Sequence, residues 1–251
     1  MLDSLQGQTA LVTGAAQRLG RAISLALAEA GVNVVIHYHR SADEAEALRR
    51  ELEALGVGAW TVVADLGRPE EYQTLVTRAL AAAGTLNILV NNASIFPRAT
   101  LADVSWNDLL ASLEVNAWAP FVLSREFHQH VGHGAIINLL DTRVQGYDWA
   151  HVAYILSKHA LAVLTRMTAL EYAPAIRVNA VAPGLILPPP GQDESYLQRL
   201  HDTVPLKRHG SAADIAAAVR FLLQSDFVTG QVLFVDGGRH LKENPGGSNS
   251  H

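Results

Sequence analysis

Seven short runs rich in Val, Ile and Leu recur along the chain, and stretches of helix length separate them. The runs are "TALVTG" (9–14), "NVVIHYHR" (33–40), "AWTVVADL" (59–66), "NILVNN" (87–92), "GAIINLL" (134–140), "AIRVNAVAP" (175–183) and "GQVLFVDGG" (230–238). None alternates cleanly between apolar and polar residues, the pattern expected of strands covered on both faces. Between them lie amphipathic stretches such as 18–30 and "SADEAEALRRELEALG" (41–56), where Ser41 and Glu44 have the spacing of a capping box. Buried strands alternating with helices give an α/β fold: a doubly wound parallel sheet of Rossmann type, about seven strands with helices on both faces. No interior linker, repeat or low-complexity block divides the chain. It reads as a single domain over 1–241, followed by a flexible C-terminal tail over 242–251 that is polar and carries Pro, Gly and Ser.

Composition removes several classes of function. With 49% hydrophobic and 17% charged residues, a 251-residue chain has enough apolar mass for one sizeable core. A net charge of −5 offers no footprint for nucleic acid. No window has the apolar length of a membrane span, and "MLDSLQGQ" resembles neither a signal nor a transit peptide, so the expected location is cytoplasmic. The absence of cysteine excludes disulfides, thiolate catalysis and Cys-based metal sites. Eleven histidines invite a metal reading, but His128 and His130 point to different faces of a helix. His37 and His39 share a strand face without a third ligand, so no metal site is expected.

"TGAAQRLG" (13–20) joins the first strand to the first helix, where a doubly wound sheet presents backbone N–H groups to a phosphate. Gly14 permits the tight turn and Gly20 the close packing of helix on strand. At the end of the second strand an acidic residue would bind a ribose 2′-hydroxyl and repel a 2′-phosphate. This chain has "HYHRS" there, and Arg40, Ser41 and a new helix N-terminus suit the 2′-phosphate of NADPH. Tyr154 and Lys158 stand four apart, on one face of a helix. A nearby ammonium favours phenolate, so a lowered tyrosine pKa is expected.

Taken together, these residues resemble the short-chain dehydrogenase/reductase family from about Gln8 to Leu241. "TGAAQRLG" is similar to its glycine motif, with Arg18 where the middle glycine usually stands, and "NNAS" (91–94) to its central Asn-Asn-Ala motif. Asp65 and Leu66 match the pair that borders the adenine, and Asn116 in "LEVNAW" matches the asparagine that holds a water of the proton relay. Tyr154 and Lys158 match its Tyr-x-x-x-Lys, and "APG" (182–184) and "VDGG" (235–238) its C-terminal signatures. The resemblance implies a cofactor site of Gly14, Arg18, Leu19, Gly20, His39, Arg40 and Ser41 at the first two strands. It adds Asp65, Leu66, Asn92, Ala93 and Ser94 at the middle strands, and Tyr154, Lys158, Pro183, Gly184 and Leu185 beyond them.

Most of the family carries a serine 13 residues before the tyrosine; here that residue is Asp141. An ionised carboxylate cannot donate a hydrogen bond to an oxyanion, so a carbonyl substrate is poorly served and an N–H-bearing heterocycle well served. With Arg18 in the glycine motif, this resembles the pteridine-reductase branch. The resemblance implies Asp141 and Tyr154 as the proton-donating pair, Lys158 and Asn116 in support, and Phe96 stacking on the pterin. Ser94 and Arg18 would bind pterin and cofactor. It implies NADPH as cofactor, a small-molecule pterin as substrate, and a homotetramer built on the apolar helices near 104–131 and 152–173. Arg239 and His240 would approach a neighbour's site. The loop 185–206, stiffened by three consecutive prolines, leaves the choice among biopterin, monapterin and folate open, and "DESYLQRL" within it reads as a short helix. Two rivals stand beside this reading: a carbonyl reductase in which Asp141 merely replaces serine, and a non-catalytic NADPH-binding regulator.

Overall fold

A computed structural model describes residues 5–189 and 191–242 of the chain. All seven runs form strands: β1 (Thr9–Val12), β2 (Asn33–Tyr38), β3 (Ala59–Val63), β4 (Ile88–Asn91), β5 (Gly134–Leu139), β6 (Ile176–Pro183) and β7 (Val232–Val235). They pair in parallel in the order β3-β2-β1-β4-β5-β6-β7. The crossovers carry helices α1 (Arg18–Glu29), α2 (Ala42–Ala54), α3 (Pro69–Tyr72), α4 (Leu75–Ala83), α5 (Trp106–Leu113), α6 (Ala119–His130), α7 (Val152–Glu171), α8 (Glu194–Arg199) and α9 (Ala212–Gln224). The winding reverses between β1 and β4, which opens a crevice at the C-terminal ends of these strands.

Side chains that alternate along the strands divide the core into two layers. Ala10, Val12, Val34, Ile36, Val90 and Ile137 pack against α1, α2 and α9 through Ile23, Leu27, Leu48, Leu52 and Val219. Leu11, Val35, Leu89, Ile136 and Val178 face the opposite way, onto Leu75, Val122, Leu123, Phe127 and Tyr172. Expected burial on both faces holds for the central strands only. The residues of β7 are all half-buried, because it pairs with β6 alone and forms the edge.

Two local expectations are corrected. Ser41 precedes α2 but its backbone (φ −93, ψ 61) is not extended and its side chain makes no capping bond, while Glu44 accepts from Gln17 Nε2 at 2.7 Å. The helix expected near 104–131 is three segments: α5, a π-helical turn over Glu114–Trp118, and α6. The helix expected at 152–173 and the short one in "DESYLQRL" form as α7 and α8. Among the described residues no helix is long and apolar enough to cross a membrane. Of the predicted tail, Lys242 is described and 243–251 lie outside the described residues.

Candidate functional site

The turn after β1 is held from β2. His37 is buried; its Nδ1 accepts from Gly14 N at 3.1 Å and its Nε2 lies 3.1 Å from the Ala64 carbonyl. Burial lowers its pKa to about 4, which keeps the ring neutral and its Nδ1 lone pair available to Gly14. From β4, Asn92 Nδ2 donates to the Thr13 and Gly14 carbonyls at 2.8 and 3.1 Å, while Thr13 Oγ1 accepts from Asn92 N and Ala93 N. A Cβ on Gly20 would lie 2.1 Å from the Gly14 oxygen, so only glycine lets α1 approach the turn. Arg18 has φ +53, the left-handed conformation that a glycine takes at no cost. Its guanidinium reaches across to the Pro188 carbonyl at 2.7 Å.

Around this turn lies a cleft of about 670 Å³ that gathers most of the expected cofactor residues: Gly14, Arg18, Leu19, His39, Arg40, Ser41, Asp65, Leu66, Asn92, Ala93 and Ser94. Arg40 is exposed and its side chain has no partner among the described residues. Asp65 is engaged with His39 at 3.5 Å and with the Gly67 N–H at 2.9 Å. Gly20 packs beneath the turn, and Pro183, Gly184 and Leu185 lie outside this wall. Pro183 closes β6, a Cβ on Gly184 would meet Asp236 Cβ at 2.4 Å, and Leu185 packs with Leu197 and Val204.

Beyond the cleft, Tyr154 and Lys158 project from α7 towards the end of β5. Tyr154 Oη donates to Asp141 Oδ2 at 3.0 Å, and Lys158 Nζ donates to the Leu139 carbonyl at 2.8 Å. Burial lowers the Lys158 pKa to about 8. The expected lowering of the tyrosine is reversed. Burial and the adjacent Asp141 charge push the Tyr154 phenol well above its ordinary value, while the Lys158 ammonium lies 5.7 Å from its ring centre. Tyr154 is therefore held as a protonated donor.

Asp141 is not a free carboxylate. Arg143 Nε donates to Oδ1 at 2.9 Å and Nη2 to Oδ2 at 2.8 Å, and the Arg143 backbone N–H adds a third bond at 2.9 Å. Burial opposes the charge of Asp141, but the Arg143 fork outweighs it and keeps the carboxyl below its usual range. Arg143 Nη1 also pairs with Asp148, whose carboxylate accepts from His151 Nδ1 at 2.9 Å and from the Ala150 and His151 N–H groups. Phe96 is stacked on His151 with ring centres 3.8 Å apart, and meets Tyr154 edge-on at 4.6 Å.

The π-helical turn carries Asn116 inward, fully buried. Its Oδ1 accepts from Ile95 N at 2.8 Å and Ser94 Oγ at 3.0 Å, and its Nδ2 donates to the Ile95 carbonyl and Ser157 Oγ, both at 3.0 Å. Protein groups thus occupy both ends of the Asn116 side-chain amide. Arg239 and His240 sit beside this chain's own site. His240 Nδ1 and backbone N–H bond Asp236, and Arg239 lines a second cleft of about 760 Å³ with Arg143 and Trp149. Among the described residues no cluster of His, Asp or Glu is arranged to hold a metal.

Sequence reasoning missed His37, Arg143, Asp148 and His151. The first was read only as a strand histidine. The other three form an acid–base run between Asp141 and Tyr154, a density of charge unusual for a segment entering a buried helix.

Comparison with known proteins agrees with this geometry. A family model described as enoyl-(acyl carrier protein) reductase matches residues 14–240. An uncharacterised oxidoreductase of Mycobacterium tuberculosis is 36% identical over 93% of this chain and 92% of its own length. A 3-oxoacyl-[acyl-carrier-protein] reductase of Staphylococcus epidermidis is 33% identical over 93% and 99%. Among solved structures, FolM alternative dihydrofolate reductase 1 from Brucella suis, in complex with NADP, superposes with a TM-score of 0.91 at 34% identity, covering 97% of this chain and 99% of that one. The matched span, the seven-stranded parallel sheet and the Tyr154–Lys158 pair carry one conclusion: the chain belongs to the short-chain dehydrogenase/reductase family.

Proposed function

We propose that the protein is an NADPH-dependent reductase of a dihydropterin, acting on dihydrobiopterin, dihydromonapterin or dihydrofolate to give the tetrahydropterin. The cofactor fits the residues present. Gly14 and Gly20 make the phosphate turn, and the unpartnered Arg40 beside Ser41 supplies the charge that a 2′-phosphate needs. NADPH, when bound, supplies the hydride. The chain's own groups do the rest: Tyr154 holds a proton at Oη and Asp141 accepts N–H donors.

The observation that carries the pterin reading is the ionised Asp141 bonded to Tyr154, where carbonyl-reducing relatives of the family place a hydroxyl donor. A negative carboxylate beside a developing alkoxide raises the barrier to carbonyl reduction. Beside a ring nitrogen being protonated it does the opposite. A sensor that only binds NADPH has no use for the Tyr154–Asp141–Arg143 proton network.

The deciding experiment is NADPH oxidation by purified protein with the three dihydropterins, simple ketones and a 3-oxoacyl thioester. Turnover is expected with at least one pterin, and Asp141→Ser should lose it by about 100-fold or more while leaving or raising carbonyl activity. No pterin turnover beside brisk carbonyl reduction sinks the reading. A homotetramer is part of the same proposal, supported by exposed Leu156, Val163, Met167 and Leu170 on one face of α7.

A further inference from the structure

Reduction of an imine treats its two atoms differently: the carbon takes the hydride and the nitrogen takes the proton. In a dihydropterin the imine carbon also bears the ring's side chain, so that chain leaves the ring next to the nitrogen being protonated. With this nitrogen at Tyr154 Oη and Asp141, the side chain sets out beside whatever surrounds Asp141. Arg143 is that neighbour: it bonds the Asp141 carboxylate at 2.8 and 2.9 Å and also lines the second cleft of about 760 Å³.

Aromatic and cationic side chains meet in that cleft. Tyr147 and Trp149, both exposed, line it with ring centres 5.9 Å apart, and Arg239 and Lys242 line it from the segment after β7. The cations are unequally engaged. Arg143 is committed to Asp141 and Asp148, and Lys242 Nζ donates to the Asp202 carbonyl at 2.8 Å. Arg239 is half-buried, and its guanidinium has no partner among the described residues. A cation drawn partly out of water without an anion is unfavourable, and the aromatic pair beside it is apolar surface left uncovered. A ligand that brings an aromatic ring together with a carboxylate relieves both.

We propose that the second cleft is the subsite for the pterin's side chain, and that it selects an aromatic chain ending in carboxylates, as in dihydrofolate, over a short polyol. This deepens the pterin reading and rests on it. The aromatic ring of the side chain lies against Tyr147 and Trp149, and the Arg239 guanidinium takes a carboxylate. A polyol offers neither a ring face nor a charge. None of these contacts touches the imine, so they strengthen binding without altering the chemical step.

The test compares folate with biopterin, which share the pterin ring and differ in the side chain, by calorimetric titration into protein saturated with NADP⁺. Wild type is expected to bind folate about tenfold tighter or more, and to lose much of that margin as salt rises from about 0.05 to 0.5 M. Arg239→Gln should weaken folate about tenfold, flatten its salt dependence and leave biopterin unchanged. Arg239→Lys should restore the salt dependence and part of the affinity. Trp149→Ala should weaken folate alone. Equal affinity of wild type for the two ligands, or equal losses of both in a folded Arg239→Gln or Trp149→Ala protein, overturns the subsite. If Arg239→Gln does not fold, wild type decides, and folate binding indifferent to salt overturns it. Because the readout is binding, a protein that holds folate through Arg239 yet reduces no dihydropterin keeps the subsite and loses the reaction.

Discussion

At the residue scale, the histidine that holds the phosphate turn makes stability depend on pH. The folded-state pKa of His37 lies near 4 against 6.5 for the free side chain. As pH falls below about 6.5 the unfolded chain takes up this proton and the folded one does not, so stability is complete above that value and declines down to about 4. The shift corresponds to roughly 3 kcal/mol. Urea unfolding of wild type and His37→Gln should therefore diverge at pH 7 and converge by pH 4; parallel curves across that range contradict the assignment. The sequence announced Tyr154, Lys158 and Asp141, because their spacing is fixed by a helix and a strand end. It did not announce Arg143, whose role depends on a loop folding back on the carboxylate two residues earlier. The tyrosine's ionisation was misjudged for a related reason: spacing reveals the ammonium but neither the depth of burial nor the saturation of the acid beside it.

At the element scale, the apolar runs were enough to locate every strand among the described residues, because even the half-buried edge strand β7 keeps a Val- and Leu-rich composition. Caps were less legible. Ser41 and Glu44 have the right spacing and do not cap, while Ser105 with Asp108 and Ser211 with Asp214 form complete boxes. Ser41 lacks the extended backbone that Ser105 and Ser211 have, and Glu44 is taken by Gln17, which lies far away in sequence. The π-helical turn was invisible, since one extra residue in a helical turn leaves the apolar pattern nearly unchanged. Its effect is local and measurable. Asn116 ties this turn to Ile95 and to Ser157 of α7 through both ends of its amide. Asn116→Ala should cost about 2–4 kcal/mol, a Tm drop of roughly 5–15 °C. A Tm within a degree of wild type means that the amide does not join these elements.

At the scale of the whole molecule, the crevice between β1 and β4 fixes where a dinucleotide can lie, and strand order follows from the chain's alternating pattern with few options. What no single-chain pattern can fix is how copies meet. Leu156, Val163, Met167 and Leu170 repeat at helical spacing along α7, beside the exposed Trp106 and Leu110 of α5, whereas isolated apolar residues on a surface need no explanation. Sedimentation should give a species of four 27.0 kDa chains, and Met167→Glu with Leu170→Glu should split it. A monomeric wild type refutes the assembly.

One contact orders events in time. Thr142, next to Asp141, donates its hydroxyl to Asp236, 94 positions later and just past the edge strand β7. Asp236 also gathers the Gly238 N–H and both donors of His240. On the ribosome the dinucleotide half of the sheet emerges and can pair long before that acid exists. The loop that follows Asp141, already held by its own Arg143 and Asp148 contacts, gains this tether only once the edge strand has docked. The candidate acid–base loop and the far edge of the sheet are thus joined late, after the strands that line the cofactor cleft have been made.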